Sequence, residues 1–482
     1  MIKKISSALL AASFLISLAA CGGENGSPSA AGDPDTAPAE TTAAETEPEI
    51  PAGDFGGTDF NVLAAVEQWH EFYDSEQTGD VVDDAVYERN MMTEEKYNVK
   101  LNYILFDGNM GGMDKVHTAL AGSVMSGTGD YDMIAGGAYY ITGYIAEGLY
   151  ADLGQMPQVN LAGPWYDGFV NEQYELCGRQ YLVSGALTVF GESESVITFF
   201  NKNIAADYNI ENLYDTVKDG KWTFAKAAEL GGIVTADLDG NGKLNKHDRV
   251  GIVSTWDFMS LEAGAMDYFY TEKTSDGGRR LRDINDKLLK VNDIILGLYE
   301  GDFYLEARKL GGTDAYADFA NMQTFFAGGG SLFVIHKLML AMEDTMREME
   351  NFGLLPSPKF DEAQESYITP VAAESCGVPF YVNDPVMSAT VLNGLNYFSN
   401  LTVKPAYFEM ALKRKSTRDD DSVEMLDIIG STMACDFMFL FSTQIDDILY
   451  SIGDKDYSSN WAKNYDKLQS QIETIVEAVK TF

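Results

Sequence analysis

Residues 60–65, with the sequence FNVLAA, and residues 131–135, with the sequence YDMIA, are short apolar runs typical of buried β-strands. Between them the apolar pattern predicts a helix over 83–97, a strand over 99–105 and a helix over 113–125. Strands that alternate with helices in this way build a parallel sheet whose faces are covered by helices. This stretch therefore predicts an α/β fold.

The alternation continues along the chain, with further strand-like runs at 196–200, 332–335 and 353–355. Beyond about residue 384 the pattern becomes mostly helical. The part of the chain that can fold comprises about 425 residues, which is more than one hydrophobic core usually serves. Two or more lobes are therefore expected.

The chain begins with the layout of an export signal. Lys3 and Lys4 precede an apolar run over 5–18, and small residues then lead directly to Cys21. This junction resembles the lipobox of bacterial lipoproteins, in which the new terminal cysteine carries a diacylglyceryl group. Two acyl chains anchor a protein durably to a membrane. The sequence thus predicts a signal peptide over 1–20 and lipidation at Cys21, with an ordinary secretory signal as the alternative.

The segment after the predicted anchor is poor in residues that build a core. Residues 21–57 are rich in Ala, Thr, Glu, Pro and Gly, which predicts a disordered linker. The formal net charge of −40 argues against nucleic acid and anionic lipid as partners. After Cys21 only Cys177, Cys376 and Cys435 remain, so one disulfide bond or none is expected.

Several stretches are similar, in their order and spacing, to the extracellular solute-binding proteins of sugar ABC importers (family 1). Together they cover nearly the whole mature chain, although Ala225 stands where an acidic residue is common. The stretches are GDYDMI (129–134), GLYADL (148–153), VITFFNKN (196–203), GKWTF (220–224), FFAGGGSLF (325–333), NFGLLPSPK (351–359), Arg418-Asp419 and 422–425.

The resemblance implies a two-lobed α/β fold like that of periplasmic binding proteins (type II), with lobes joined by hinge crossovers near 185–195, 328–336 and 372–382. A solute would bind in the cleft, and hinge closure would bury it. The expected ranges are 58–190 plus 333–378 for the first lobe and 191–332 plus 379–482 for the second.

The resemblance also implies the protein's partners and location. A carbohydrate is the expected ligand, and the permease subunits of an ABC importer are the expected membrane partner. The lipid anchor would hold the protein, expected to be a monomer, at the extracellular face of the cytoplasmic membrane. In a cell with an outer membrane, this is the periplasmic side.

Residues 237–248, with the sequence DLDGNGKLNKHD, match the twelve-residue calcium loop of EF-hand and dockerin type. Gly242 occupies the position of the sharp turn, and Asp248 replaces the usual final glutamate with a shorter carboxylate. A structural Ca²⁺ ion is predicted, with a solvated polar turn as the alternative. The predicted ligands are Asp237, Asp239, Asn241, the carbonyl of Lys243, Asn245 and Asp248.

Sugar recognition requires aromatic rings that stack on the apolar sugar face, and carboxylates or amides that bind the hydroxyl groups. Such residues occur near predicted strand ends and crossovers, where clefts form. Core packing is the alternative for each aromatic residue and for the histidine. The predicted ligand-binding residues are Trp69, Tyr139, Tyr140, Glu192, Trp256, Asp257 and His336.

The sequence carries none of the common catalytic motifs. It lacks H-E-x-x-H, the G-x-S-x-G elbow and the Walker loop, and its four histidines are widely scattered. A binding role without catalysis is therefore predicted. The alternatives are binding of a peptide or another non-sugar solute, a passive adhesin, and a surface glycan-active enzyme, because the 74 acidic residues supply many candidate carboxylate pairs.

Overall fold

The computed structural model describes residues 50–66, 77–107, 110–188, 194–255, 261–313, 315–338, 345–346, 349, 351–412, 420–441 and 451–482. These residues belong to one compact unit. None of the helices they form is both long enough and apolar enough to cross a membrane.

The described residues alternate strands and helices, as the sequence predicts. The strands are β1 (Thr58–Val66), β2 (Val99–Asp107), β3 (Met133–Gly137), β4 (Val196–Asn201), β5 (Val250–Ser254), β6 (Thr271–Lys273), β7 (Arg279–Leu281), β8 (Tyr304–Glu306), β9 (Ser331–Lys337), β10 (Phe352–Pro356), β11 (Thr369–Pro370), β12 (Glu374–Gly377) and β13 (Met433–Ala434). The helices are α1 (Val81–Tyr97), α2 (Met110–Ser126), α3 (Ala138–Ile141), α4 (Gly168–Tyr174), α5 (Lys202–Asp207), α6 (Leu213–Lys218), α7 (Phe224–Val234), α8 (Glu262–Ala265), α9 (Asp286–Tyr299), α10 (Ala315–Ala327), α11 (Pro385–Leu401), α12 (Val403–Leu412), α13 (Asp420–Ser431), α14 (Phe437–Leu440) and α15 (Tyr457–Thr481).

The first sheet has four strands in the order β12-β3-β1-β2. β1 pairs in parallel with both β2 and β3, and β12 closes the sheet in the antiparallel direction. Phe60 and Val62 pack into one core cluster, whereas Leu63 packs into another on the opposite face. Burial of both faces is what a parallel sheet between helices requires, which explains the apolar run of β1.

The second sheet has five strands in the order β10-β4-β9-β5-β8. β5 pairs in parallel with β8 and β9, whereas β4 is antiparallel to β9 and β10. Ile197 and Phe199 point to one core cluster, and Val196 and Phe200 point to another. The alternation of side chains along β4 therefore buries both faces of this sheet as well.

Thr223 caps α7, as its position before an apolar helix suggests. Its side-chain oxygen accepts a hydrogen bond from the backbone N–H of Lys226 at 3.1 Å. Such a cap satisfies one of the backbone donors that a helix start leaves without a partner.

The strand pairing corrects the predicted crossover near 328–336. β9 lies between β4 and β5 inside the second sheet, and β10 is the edge strand of the same sheet. Among the described strands of the predicted range 333–378, β12 alone joins the first sheet. Helix α11, predicted to belong to the second lobe, packs instead against α1 and the core of the first sheet. Local patterns do not specify which sheet a strand joins, because that choice depends on distant partners.

Cys177, Cys376 and Cys435 are free thiols. Of the two outcomes expected from the sequence, the structure thus shows no disulfide bond among these residues. Cys376 and Cys435 are buried in the core, and burial raises the pKa of the Cys376 thiol to about 12. A thiol that stays protonated in an apolar environment is inert, so these two cysteines serve packing.

Candidate functional site

The carboxyl ends of the parallel strands define the candidate site. In the first sheet β1, β2 and β3 end at Val66, Asp107 and Gly137. In the second sheet β5 and β9 end at Ser254 and Lys337. Ligands of open α/β sheets bind at this edge, because the connecting loops and helix starts converge there.

Several segments next in sequence to these strands lie outside the described residues. They are 67–76, 108–109, 189–193, 256–260 and 339–344. Four predicted ligand-binding residues, Trp69, Glu192, Trp256 and Asp257, fall in these ranges, and their role stays a prediction.

The structure brings the other two predicted aromatic residues together directly after β3. The rings of Tyr139 and Tyr140 are half-buried and lie edge to face, with centroids 5.0 Å apart. The ring of Phe439, on α14, lies 6.2 Å from that of Tyr139. A Cβ atom on Gly137 would lie 3.2 Å from the Tyr140 ring, so glycine gives this ring room to approach the backbone. The result is an aromatic group at the carboxyl edge of the first sheet.

A charged pair that sequence reasoning missed lies at the carboxyl edge of the second sheet. The ammonium group of Lys337, at the end of β9, forms an ion pair with the buried carboxylate of Glu194. The backbone N–H of Leu338 donates to the carbonyl of Ser195, which fixes the register of the two segments. These residues are far apart in sequence, so only the antiparallel pairing of β4 and β9 reveals the contact.

His336 lies in the core of the second sheet and not at its edge. Its side chain is 2% exposed, and its ring centroid lies 4.7 Å from that of Phe319. Burial, together with the neighbouring Lys337 charge, lowers the pKa of His336 well below its ordinary value. The side chain is therefore a neutral packing residue, and its position does not favour the predicted contact with a solute.

A second group of polar and aromatic residues flanks the edge strand β8. The rings of Tyr299 and Tyr304 lie 5.5 Å apart, and the side chain of Arg308 donates to the carboxylate of Glu306 at 2.6 Å. With Lys309 they line an open pocket of about 360 Å³. Sequence analysis did not predict this pocket. Tyr299 ends a helix and Tyr304 begins a strand of only three residues, so no local pattern indicates that the two rings meet.

The predicted calcium loop connects α7 to β5 and has the backbone shape that such a loop requires. Gly240 and Gly242 adopt positive φ angles of 70° and 77°. The carboxylate of Asp237 accepts backbone hydrogen bonds from both glycines at 2.7 Å. A short backbone bridge between Ala236 and Arg249 closes the loop at its base.

The donor set of this loop fits a hard divalent cation. One oxygen from each of Asp237, Asp239 and Asp248 lies within 4.8 Å of the others. Calcium binds oxygen at about 2.3–2.6 Å, so two ligands of one ion lie at most about 5 Å apart. Asn245 turns its amide nitrogen toward Asp239, and loop position 9 often contacts the ion through water. The residues present thus fit Ca²⁺.

A buried carboxyl group lies beside the start of β4. Glu262 is fully buried, and its Oε1 atom lies 3.1 Å from the Oγ atom of Ser357. The Ser357 hydroxyl has a single hydrogen, which it donates to the carbonyl of Val196 at 2.9 Å. Burial raises the pKa of Glu262 to about 8. A neutral Glu262 can donate to the Ser357 oxygen, so the protonated acid completes the chain of hydrogen bonds.

No protein-family model matches the chain, and no curated protein matches it in sequence. Solved structures share its fold at low sequence identity. The galacto-N-biose/lacto-N-biose I-binding protein of the ABC transporter from Bifidobacterium longum, in complex with lacto-N-biose, has a TM-score of 0.53 at 13% identity, covering 89% of this chain and 98% of that one.

Two further structures show the same likeness. UgpB from Mycobacterium tuberculosis, in complex with glycerophosphocholine, has a TM-score of 0.53 at 14% identity, covering 88% of this chain and 98% of that one. A cyclo/maltodextrin-binding protein complexed with maltotetraose has a TM-score of 0.54 at 10% identity, covering 88% of this chain and 97% of that one. The chain therefore has the two-lobed α/β fold of these proteins, and the fold class predicted from the sequence is confirmed.

Proposed function

We propose that this chain is an extracellular, lipid-anchored solute-binding protein that captures a carbohydrate, preferably an oligosaccharide, and delivers it to an ABC importer. The observation that carries the proposal is the two-lobed fold, which the chain shares with the solved binding proteins over most of its length. Proteins of this fold bind lacto-N-biose and maltotetraose. The proposed role is binding without catalysis.

The described edge residues suit such a ligand. Tyr139, Tyr140 and Phe439 offer aromatic rings, and the Glu194–Lys337 pair offers charged donors and acceptors. A sugar needs both, because its ring has an apolar face and a rim of hydroxyl groups. The same fold also binds glycerophosphocholine in UgpB, so the choice of sugar rests on this chemistry and on the sequence motifs.

Trp69 and Trp256 are the residues we expect to stack on the sugar. Replacing either by alanine should weaken binding by about 1–3 kcal/mol, up to roughly a hundredfold in affinity, because the desolvated sugar face loses its partner. The measurement is calorimetry with the glycan that a thermal-shift screen selects. Tyr381→Ala is the control, because this residue is exposed and a Cβ atom built on Gly127, in the turn before β3, would lie 3.9 Å from its ring, which places it away from the carboxyl edge.

The outcomes of this titration separate the alternatives. Unchanged affinity in both tryptophan variants would show that the binding site lies elsewhere on the protein. Failure of every glycan to bind would contradict the carbohydrate proposal and favour a peptide or another solute. Turnover of a bound glycan would support the enzyme alternative.

The anchor is proposed at Cys21, directly after the predicted signal peptide. Cys21→Ala removes the thiol that would carry the diacylglyceryl group, so the variant should appear in the medium or stay unprocessed. Fractionation of cells into membrane and medium measures this. A variant that remains as membrane-bound and as fully processed as the wild type would show that the anchor is wrong.

We propose Ca²⁺ as a structural ion held by Asp237, Asp239, Asn241, Asn245, Asp248 and the carbonyl of Lys243. An ion that binds only the folded chain stabilises it, by roughly 2.7 kcal/mol when its free concentration is a hundred times Kd. A chelator should therefore lower the melting temperature. Asp237→Asn should abolish this response, whereas Asp361→Asn, in an exposed turn elsewhere, should keep it. A chelator response that persists in Asp237→Asn would contradict the site.

A further inference from the structure

A second pocket, of about 520 Å³, is lined in part by residues of the proposed calcium loop. It is lined by residues 246–249, which lead into β5, and by residues 328–330, which lead into β9. Because these two strands run parallel, the pocket lies at their amino ends, whereas the candidate solute site lies at their carboxyl ends. It is therefore a separate feature of the second sheet.

Several of the side chains that line this pocket are basic. Lys246, His247 and Arg249 line it together with the polar side chains of Asn321 and Thr324. Lys246 is exposed, so its ammonium group is open to a ligand.

Arg249 is held in place by its surroundings. Its Nη1 atom donates to the hydroxyl of Tyr208 at 3.0 Å, and its guanidinium lies 5.7 Å from the centre of the Tyr208 ring. Its backbone is fixed by hydrogen bonds with Ala236 at 2.9 and 3.1 Å. The Nε atom is buried, so a ligand cannot reach it. The Nη2 atom is not buried and has no hydrogen-bond partner among the described residues. A guanidinium that is held in place with this donor free is suited to bind an oxygen of a carboxylate or a phosphate.

The two basic side chains of this pocket, Lys246 and Arg249, differ from other basic side chains of the molecule in their lack of acidic partners among the described residues. Acidic residues outnumber basic ones by 74 to 34 in the chain. Lys218, Lys273 and Lys480 each contact two acidic side chains. Within the described part of the chain, neither Lys246 nor Arg249 forms an ion pair.

Asp248 is the acidic residue in the pocket lining, and its oxygens are engaged elsewhere. Its Oδ1 atom accepts from the backbone N–H groups of Leu238 and Asp239, at 2.8 and 3.3 Å. Its Oδ2 atom accepts from that of Asn245 at 2.9 Å. The carboxylate is thus directed into the loop, and among the described residues it forms no ion pair with Lys246 or Arg249.

We propose that this pocket binds the acid group of a small molecule, a carboxylate or a phosphate, through Arg249 and Lys246. The half-buried ring of Phe325 lies in the same lining and offers an apolar surface for the body of the ligand. The site is independent of the proposed solute cleft, so the two proposals stand or fall separately.

Calorimetry on the purified chain tests the proposal, with sodium benzoate and inorganic phosphate as probes and benzamide as the neutral control, because none of these is a carbohydrate that the proposed solute cleft would bind. We expect saturable binding of at least one acidic probe, and the probe that binds identifies the acid as carboxylate or phosphate. Arg249→Gln should weaken binding at least tenfold, because charge-assisted hydrogen bonds are lost. Added salt should also weaken it.

Lys246→Glu reverses a charge at an exposed position of the loop 237–248 that is not one of the predicted calcium ligands, and it should abolish binding. Its melting temperature, compared with that of the wild type, shows whether the variant is folded, so the test does not depend on the stability of the Arg249 variant. Lys290→Gln, at an exposed position on α9, is the matched control and should bind like the wild type. The proposal is overturned if neither acidic probe binds, if benzamide binds at the same site as tightly as benzoate, or if Lys246→Glu binds as tightly as the wild type.

Discussion

Replacement of Gly251 by alanine is expected to destabilise the folded chain by about 3 kcal/mol or more. Helix α7 packs directly on β5 at this point, because two glycines face each other. A Cβ atom on Gly251 would lie 2.3 Å from the Cα atom of Gly231 and 2.6 Å from its carbonyl carbon. Both groups are backbone, so neither can move aside without shifting the helix or the strand.

Gly232 provides the matched control, since it is the next residue of the same helix. Apart from the chain neighbours and the adjoining backbone of the same helix, no heavy atom of the described residues lies within 4 Å of a Cβ atom built on it, and the residue is exposed. Gly232→Ala should stabilise the chain by roughly 0.5–1 kcal/mol, because alanine loses less backbone freedom in a helix. Urea denaturation of both variants measures the difference. Similar stabilities for the two would show that the helix does not contact the strand through Gly251.

The protonation of Glu262 should make the stability of the chain depend on pH. The folded state raises the pKa of this carboxyl from 4.5 to about 8, because burial disfavours the charged form. Between these two values the folded state holds a proton that the unfolded state has released. The free energy of unfolding therefore falls as the pH rises through this window, by up to roughly 5 kcal/mol in total from this group.

Glu262→Gln isolates this effect from the many other titrating groups of an acidic chain. Glutamine has a similar shape and stays neutral, and its amide can donate to Ser357 as the protonated acid does. At pH 5 the variant and the wild type should have similar free energies of unfolding, whereas at pH 8 the variant should be more stable by several kcal/mol. Parallel losses of stability in both proteins between pH 5 and pH 8 would contradict a proton on Glu262.

The strands β1, β2 and β4 could be predicted from the sequence, because their signals lie within a few residues. Short apolar runs bounded by turn residues favour strands. The Ca²⁺ loop at 237–248 stays a prediction, for which the sequence carries all the donors in one short segment. The order of motifs along the chain similarly predicted the two-lobed fold. These features need no information about distant partners.

Only the tertiary structure shows which sheet each strand joins and what surrounds a given side chain. β9 and β10 join the second sheet through pairing with β4, and this pairing also brings Glu194 to Lys337 and buries His336 against Phe319. The pocket at Arg249 likewise forms where two strand starts, distant in sequence, lie side by side. Such contacts depend on which strands meet and in what register, and a local pattern of residues does not encode that choice.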